Sequence, residues 1–215
     1  MTIPPILSVS YLPPVSWCAA AWNSENAYLE ACENYQKGSL RNRCYIAGSG
    51  GIQRLSIPLV KGKHQQTPIR EVRIAYDEPW QRQHWRTIKT AYGNAPFFEH
   101  YADEIAPFYE KKYAFLFDYN FDFLVFILQK KLGWQGYFVM THEWWPARKW
   151  APADDLRETI SGEPDEWPEW FYPARYPQVF EERNGFLPNL SVLDLLFCCG
   201  KQGGAVLEKS MKGET

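Results

Sequence analysis

The chain lacks the features by which sequences most often announce a location or a chemistry. No Lys or Arg precedes Lys37, so the basic start of a secretory leader is missing. No apolar run is long enough to span a bilayer. The most apolar stretch, 121–128, is short and broken by Asp122. These absences point to a cytoplasmic protein with no membrane span. The five cysteines (Cys18, Cys32, Cys44, Cys198 and Cys199) are odd in number and include no C-x-x-C pair. That argues against a disulfide framework and against zinc-type spacing, so no metal is assigned. Free, buried thiols are expected. A formal net charge of -2 gives no basic excess to neutralise phosphates, which argues against a nucleic-acid partner. There is no P-loop pattern, no G-x-G-x-x-G, no G-x-S-x-G, no H-E-x-x-H and no internal repeat. No cofactor is assigned.

What is present suits a single domain over 1–215. A chain this long buries roughly 70% of its unfolded surface and needs no covalent staple. Hydrophobic residues make up 46%, an ordinary share, but aromatics reach 17% with ten Trp. Such side chains fill cores, and they also stack on sugars or bases.

The first third reads as strands: 6–12, closed by Pro13 and Pro14, then 27–32, 41–47 and 54–60. A short helix over 15–22 separates the first two and ends at Asn23. Gly48-Ser49-Gly50-Gly51 joins the last two as a hairpin turn. Residues 69–75 read as a half-buried strand. The period then becomes helical. Asp77-Glu78-Pro79 opens a helix to about Tyr92, stopped by Gly93. Further helices follow over 98–109 and 115–132, with Gly133 as the stop, and a strand over 136–140. The fold class is α/β: one domain with a mixed β-sheet formed mainly by the N-terminal third and covered by helices. An α+β arrangement is the alternative.

From 145 to 177 the pattern collapses into six prolines, charges and four Trp. So long an irregular stretch is usually a lid, a binding loop or an insert. The tryptophans favour a folded loop. The last helix, 192–199, has Ser191 as N-cap, Leu190 and Leu195 as a hydrophobic staple and Gly200 as its stop. Asp194 then has a structural role. Cys198 and Cys199 sit at its C-terminal end, where the dipole disfavours a thiolate. The tail after 203 is polar and reads as frayed.

Two groups of residues carry chemical potential. On a strand over 41–47, Arg41 and Arg43 project from one face and form a fork for a phosphate or carboxylate, with Lys37 as a third charge. The plainer alternative is ion pairing to Glu30 and Glu33. On the helix after Pro79, Trp80, His84 and Ile88 share one stripe, beside Arg82, Arg86 and Lys89. His84 suits a general base, or else a satisfied interior histidine. His64, His100 and His142 read as structural or solvated. Asp118 and Asp122, one turn apart, mark the exposed side of their apolar helix.

Several motifs taken together resemble the WbqC-like protein family. They are Tyr11-Leu12-Pro13-Pro14, Tyr35-Gln36-Lys37, Arg41-Asn42-Arg43-Cys44, Trp80 with His84 and Trp85, Ala95-Pro96-Phe97-Phe98, Tyr176-Pro177-Gln178-Val179-Phe180, and the run from Asn189 to Phe197. The resemblance implies a bacterial cytosolic protein whose relatives are often encoded with surface-polysaccharide, O-antigen-type genes. It supplies a pathway rather than a mechanism. Other members can be longer between the third helix and the Tyr-Pro-Gln motif. On this footing His84 is the catalytic candidate, and Lys37, Arg41, Arg43, Tyr176 and Gln178 are candidates for binding substrate or anion. One hypothesis is an enzyme that transfers a small group to or from a phosphorylated or nucleotide-activated sugar. A non-catalytic alternative uses Trp144, Trp145, Trp150, Trp167 and Trp170 to bind a glycan or a partner.

Overall fold

A computed structural model describes residues 4–60, 66–146, 154–160 and 166–211. Its centre is a four-stranded parallel sheet in the order β5-β2-β1-β6. The strands are β1 (Pro5–Ser8), β2 (Asn26–Glu30), β5 (Tyr137–Met140) and β6 (Asp154–Asp155). A second, antiparallel sheet is the hairpin of β3 (Arg43–Gly48) and β4 (Gly51–Ser56). Parallel and antiparallel strands combined with several helices make the fold α/β. The layout is more dispersed than the sequence suggests, because two of the parallel strands lie beyond residue 136.

Pro13 and Pro14 end the first extended segment and launch α1 (Val15–Trp22), which closes at Asn23. This helix is apolar and almost wholly buried, as a crossover between two adjacent parallel strands must be. Pro79 flanks α2 (Trp80–Tyr92), on which Trp80, His84 and Ile88 turn inward together. Then come α3 (Phe98–Ile105) and α4 (Leu116–Val125). The last continues into π-helical turns over Phe126–Leu132 and stops at Gly133 with φ of 88°. A one-turn helix, α5 (Glu181–Asn184), precedes α6 (Val192–Cys199). Ser191 caps α6 by accepting from the Leu193 N–H, and Leu190 and Leu195 are fully buried. Asp118 and Asp122 are exposed, as their helix pattern indicates.

The buried apolar side chains form one continuous cluster that includes sheet, α1, α2, α4 and α6 residues. Most of the aromatic excess is spent there. Tyr11 and Tyr119 pack together, Trp80 meets Tyr119 edge-on, and Phe108 stacks on Phe123. Cys18, Cys44, Cys198 and Cys199 are buried, Cys32 is half-buried, and all five are free thiols. Burial pushes up both the Cys198 and Cys199 thiols, and nearby Asp194 adds to the effect. Among the described residues no helix is long and apolar enough to cross a membrane.

Three expectations are corrected. Residues 69–75 form no named strand. Ile69–Glu71 is a 3₁₀ turn after Pro68, followed by isolated bridges at Arg73 and Ile74. A three-residue turn puts Ile69 and Val72 on the same side, and both are fully buried. The segment after Gly203 is not frayed: α7 (Gly203–Lys209) packs against α1. The third strand begins at Arg43, so Arg41 lies outside it. Of the irregular 145–177 segment, residues 147–153 and 161–165 lie outside the described residues, as does His64. The rest includes β6, paired with β1.

Candidate functional site

The strand order fixes where a ligand fits. The chain runs from β1 through α1 to β2, moves outward to β5, then returns to lay β6 on the other side of β1. The sheet direction therefore switches at β1. In open parallel sheets the crevice beyond the strand C-termini at such a switch is the usual ligand site. The residues delivered there are Ser8 at the end of β1, Glu30 at the end of β2 and Asp155 at the end of β6.

Glu30 is fully buried and needs partners. The Cys32 N–H (2.9 Å) and the Thr141 hydroxyl (2.6 Å) donate to its Oε1, and Arg157 Nη1 donates to Oε2 at 2.6 Å. Arg157 also grips Asp155 with two bonds, from Nε at 2.8 Å and from Nη2 at 2.6 Å, and donates to the Trp145 carbonyl. Burial alone would raise the Asp155 carboxyl, but the bonds from Arg157 hold it below the usual range.

A second charged group lies alongside. Arg41 Nε donates to Glu33 Oε1 at 2.8 Å, and its Nη2 is paired with Oε2. The same Nη2 donates to Ser8 Oγ at 2.9 Å, and Ser8 Oγ donates to Glu33 at 3.0 Å. Asn120 Nδ2 ties down the Arg41 carbonyl at 2.7 Å. Burial raises the Glu33 carboxyl, with Arg41 and then Ser8 opposing it. Glu33 and Arg41 are buried, so this is an internal pair with its remaining oxygens satisfied.

Two clefts open on either side of these pairs. One, of about 240 Å³, is lined by Ser8, Ser10, Trp17 and Leu40. The other, of about 340 Å³, is lined by Glu33, Trp144 and Asp155. Both share Gln36, Arg41, Arg157 and Glu158. Trp144 is 50% exposed, with the Arg157 guanidinium 4.3 Å over its ring. Each guanidinium is already balanced by carboxylate, and each has a second Nη1 hydrogen with no partner among the described residues. Such a lattice orients hydroxyl groups through paired donors and acceptors. Among the described residues no group of His, Cys, Asp and Glu is arranged to hold a metal ion.

The model of the WbqC-like protein family matches residues 9–160, about seven-tenths of the chain. The chain belongs to the WbqC-like protein family. The matched range contains Glu30, Glu33, Arg41, Asp155 and Arg157. An uncharacterised protein of Mycobacterium tuberculosis, Rv1507c, is 40% identical over 76 residues, which are 35% of this chain and 32% of that protein. This chain thus spans about a third of that curated relative's length. No solved structure matches.

The residues singled out within this WbqC-like sequence do not gather in one place. Arg41 is in the clefts, but it is bound to Glu33 rather than free, so the plainer ion-pair alternative describes it. Lys37 is exposed just beyond, after Gln36. Arg43 starts β3 and does not line the two clefts. His84 is 6% exposed. Its Nδ1 lies 3.1 Å from the Tyr11 hydroxyl and its ring stacks on Tyr11. Burial lowers its pKa to about 4, against a small raising bond with the Ser56 carbonyl. It does not line either cleft. Tyr176 donates to Asp194 at 2.8 Å, and Gln178 Nε2 donates to the same carboxylate oxygen at 3.0 Å. Gln178 also bonds both the N–H and the carbonyl of Leu187. These two residues fasten the 176–187 loop to α6.

Ser8, Ser10, Glu30, Asp155 and Arg157 were not singled out as site residues. A readable signal existed for the serines, which follow an apolar strand at its C-terminal end. None existed for the link between Arg157 and Glu30, which are 127 residues apart, although Asp155 stands two residues before Arg157.

Proposed function

We propose that the clefts around Arg41 and Arg157 bind the sugar of a phosphorylated or nucleotide-activated sugar. On this proposal the chain acts in the cytoplasm, in surface-polysaccharide biosynthesis. It transfers a small group, such as an acyl, aminoacyl or nucleotidyl unit, to or from that sugar. The supporting observation is the convergence of two buried guanidinium–carboxylate pairs at the switch point of the sheet. Neutralised guanidiniums attract bare anions weakly, but they position hydroxyls well, and Trp144 adds a flat apolar face. His84 has no contact with substrate in this proposal. The test is thermal stability in the presence of free and nucleotide-linked sugars. A ligand at a hundred times its Kd adds about 2.7 kcal/mol. The absence of any shift with every sugar tried, free or activated, refutes the proposal.

The non-catalytic alternative is favoured by one observation: Trp144 and Trp167 remain 50% and 38% exposed in a chain that packs most of its aromatics into or against the core. Trp150 lies outside the described residues. Trp167→Ala separates the two, since it abolishes function only if the tryptophan surface is the working part.

A further inference from the structure

We infer that the outward face of the β3–β4 hairpin holds a phosphate subsite made by Arg43 and Arg54, with Tyr45 between them. The register pairs Arg43 with Ser56 and Tyr45 with Arg54. Arg43, Tyr45 and Arg54 therefore share one face. The two arginines are diagonal neighbours with Cα atoms about 7 Å apart, close enough for both guanidiniums to meet one phosphate. The other face carries Cys44, Ile46 and Leu55 into the core.

Among the described residues neither side chain makes a hydrogen bond, an ion pair or a cation–π contact, although Arg43 acts electrostatically on the Tyr35 hydroxyl. For Arg54, which is exposed, water suffices. Arg43 is different: its Nε–H is buried and has no acceptor among the described residues. Native structures rarely leave a buried donor unpaired, least of all on a cation. A phosphate oxygen supplies both the acceptor and the opposite charge, in the planar geometry an arginine fork prefers. The pairing thus differs from the one the sequence suggests. Arg41 is occupied by Glu33, and the partner of Arg43 comes from across the hairpin.

Arg43 lies two residues after Arg41, so their Cα atoms are at most about 7 Å apart. The subsite therefore sits beside the clefts, where the phosphate of an activated sugar would emerge. That identity rests on the function proposed above, whereas the binding of a phosphoryl group does not.

The test is calorimetric titration of the full chain with pyrophosphate, uridine diphosphate, uridine and free glucose. Pyrophosphate and uridine diphosphate are expected to bind, with Arg54→Gln and Arg43→Gln each weakening them at least tenfold and Trp144→Ala leaving pyrophosphate unchanged. Uridine alone reports any stacking on Tyr45. Arg54 is exposed, so its variant keeps the test valid if Arg43→Gln fails to fold. The inference is overturned if pyrophosphate does not bind the wild type, or if Arg54→Gln binds it equally well. If pyrophosphate binding depends on Arg54 but no sugar binds, the subsite stands and the sugar cleft fails. If sugars bind in a Trp144-dependent way and Arg54→Gln changes nothing, the reverse holds.

Discussion

Arg157 and Glu30 are 127 residues apart in sequence and 2.6 Å apart in space, joined beneath the clefts at the ends of two parallel strands. Removing the cation leaves Glu30 buried with hydrogen-bond donors but no counter-charge. Arg157→Met is therefore expected to cost about 3–5 kcal/mol in urea unfolding. The double variant Arg157→Met with Glu30→Gln is expected to recover part of that loss, because the unpaired charge is gone. A double variant no more stable than the single one contradicts this.

Two buried groups give stability opposing slopes with pH. His84 is lowered from 6.5 to about 4 by burial, so on acidification the unfolded chain takes up its proton first. Stability due to His84 is lost as pH falls from about 6.5 to 4. Asp194 is raised from 3.8 to about 6 by burial, against bonds from Tyr176, Tyr92 and Gln178. Here the folded chain holds a proton the unfolded chain has released, so stability falls as pH rises from about 4 to 6. Each slope amounts to about 3 kcal/mol, and together they nearly cancel. Asp194→Asn removes one of them. Between pH 6.5 and 4 its unfolding free energy is expected to fall by about 3 kcal/mol more than that of the wild type.

Ser191 caps α6 through the Leu193 N–H, in a place without solvent. Ser191→Ala is expected to lower stability by about 1 kcal/mol, and Ser191→Gly by less, since glycine tolerates the cap conformation. Thermal melting of the two variants checks the order.

Gly200 ends α6 with φ of 57°, and a Cβ there would lie 2.8 Å from Phe97 Cδ1. Backbone strain and steric overlap act together, so Gly200→Ala should cost more than about 1 kcal/mol. A neutral or stabilising result in denaturant unfolding contradicts the geometry.

Local chemistry made much of this fold legible. Pro13-Pro14, Pro79, Gly133 and the Ser191 cap act within a few residues, so α1, α2, the stop of the long helix and α6 can be read directly. The shared stripe of Trp80, His84 and Ile88 followed from their spacing, but the choice between a general base and an interior histidine at His84 did not. Residues 69–75 misled because Ile69 and Val72 are compatible with either a strand or a 3₁₀ turn, and tertiary burial chose between them. The clefts were the least legible part. For Arg41 an anion fork and an ion pair to Glu33 were both open, because Glu33, eight residues earlier, is brought to it only by the fold. The pairing of Arg157 with Glu30 was not visible because the two meet only when β6 docks on β1; Asp155, two residues away, is a local partner.

That late docking orders events during synthesis. At about 10 residues per second, a ribosome needs on the order of ten seconds to pass from Glu30 to Arg157. Throughout that interval Glu30 lacks its Arg157 partner, so closing β1 and β2 over it means burying an unpaired carboxylate or protonating it. The nascent sheet is thus discouraged from setting its edge early, before β6 can claim the position beside β1. Such long-range closure also slows refolding of the intact chain relative to its local helices. The clefts therefore take shape only after residue 157 has left the ribosome.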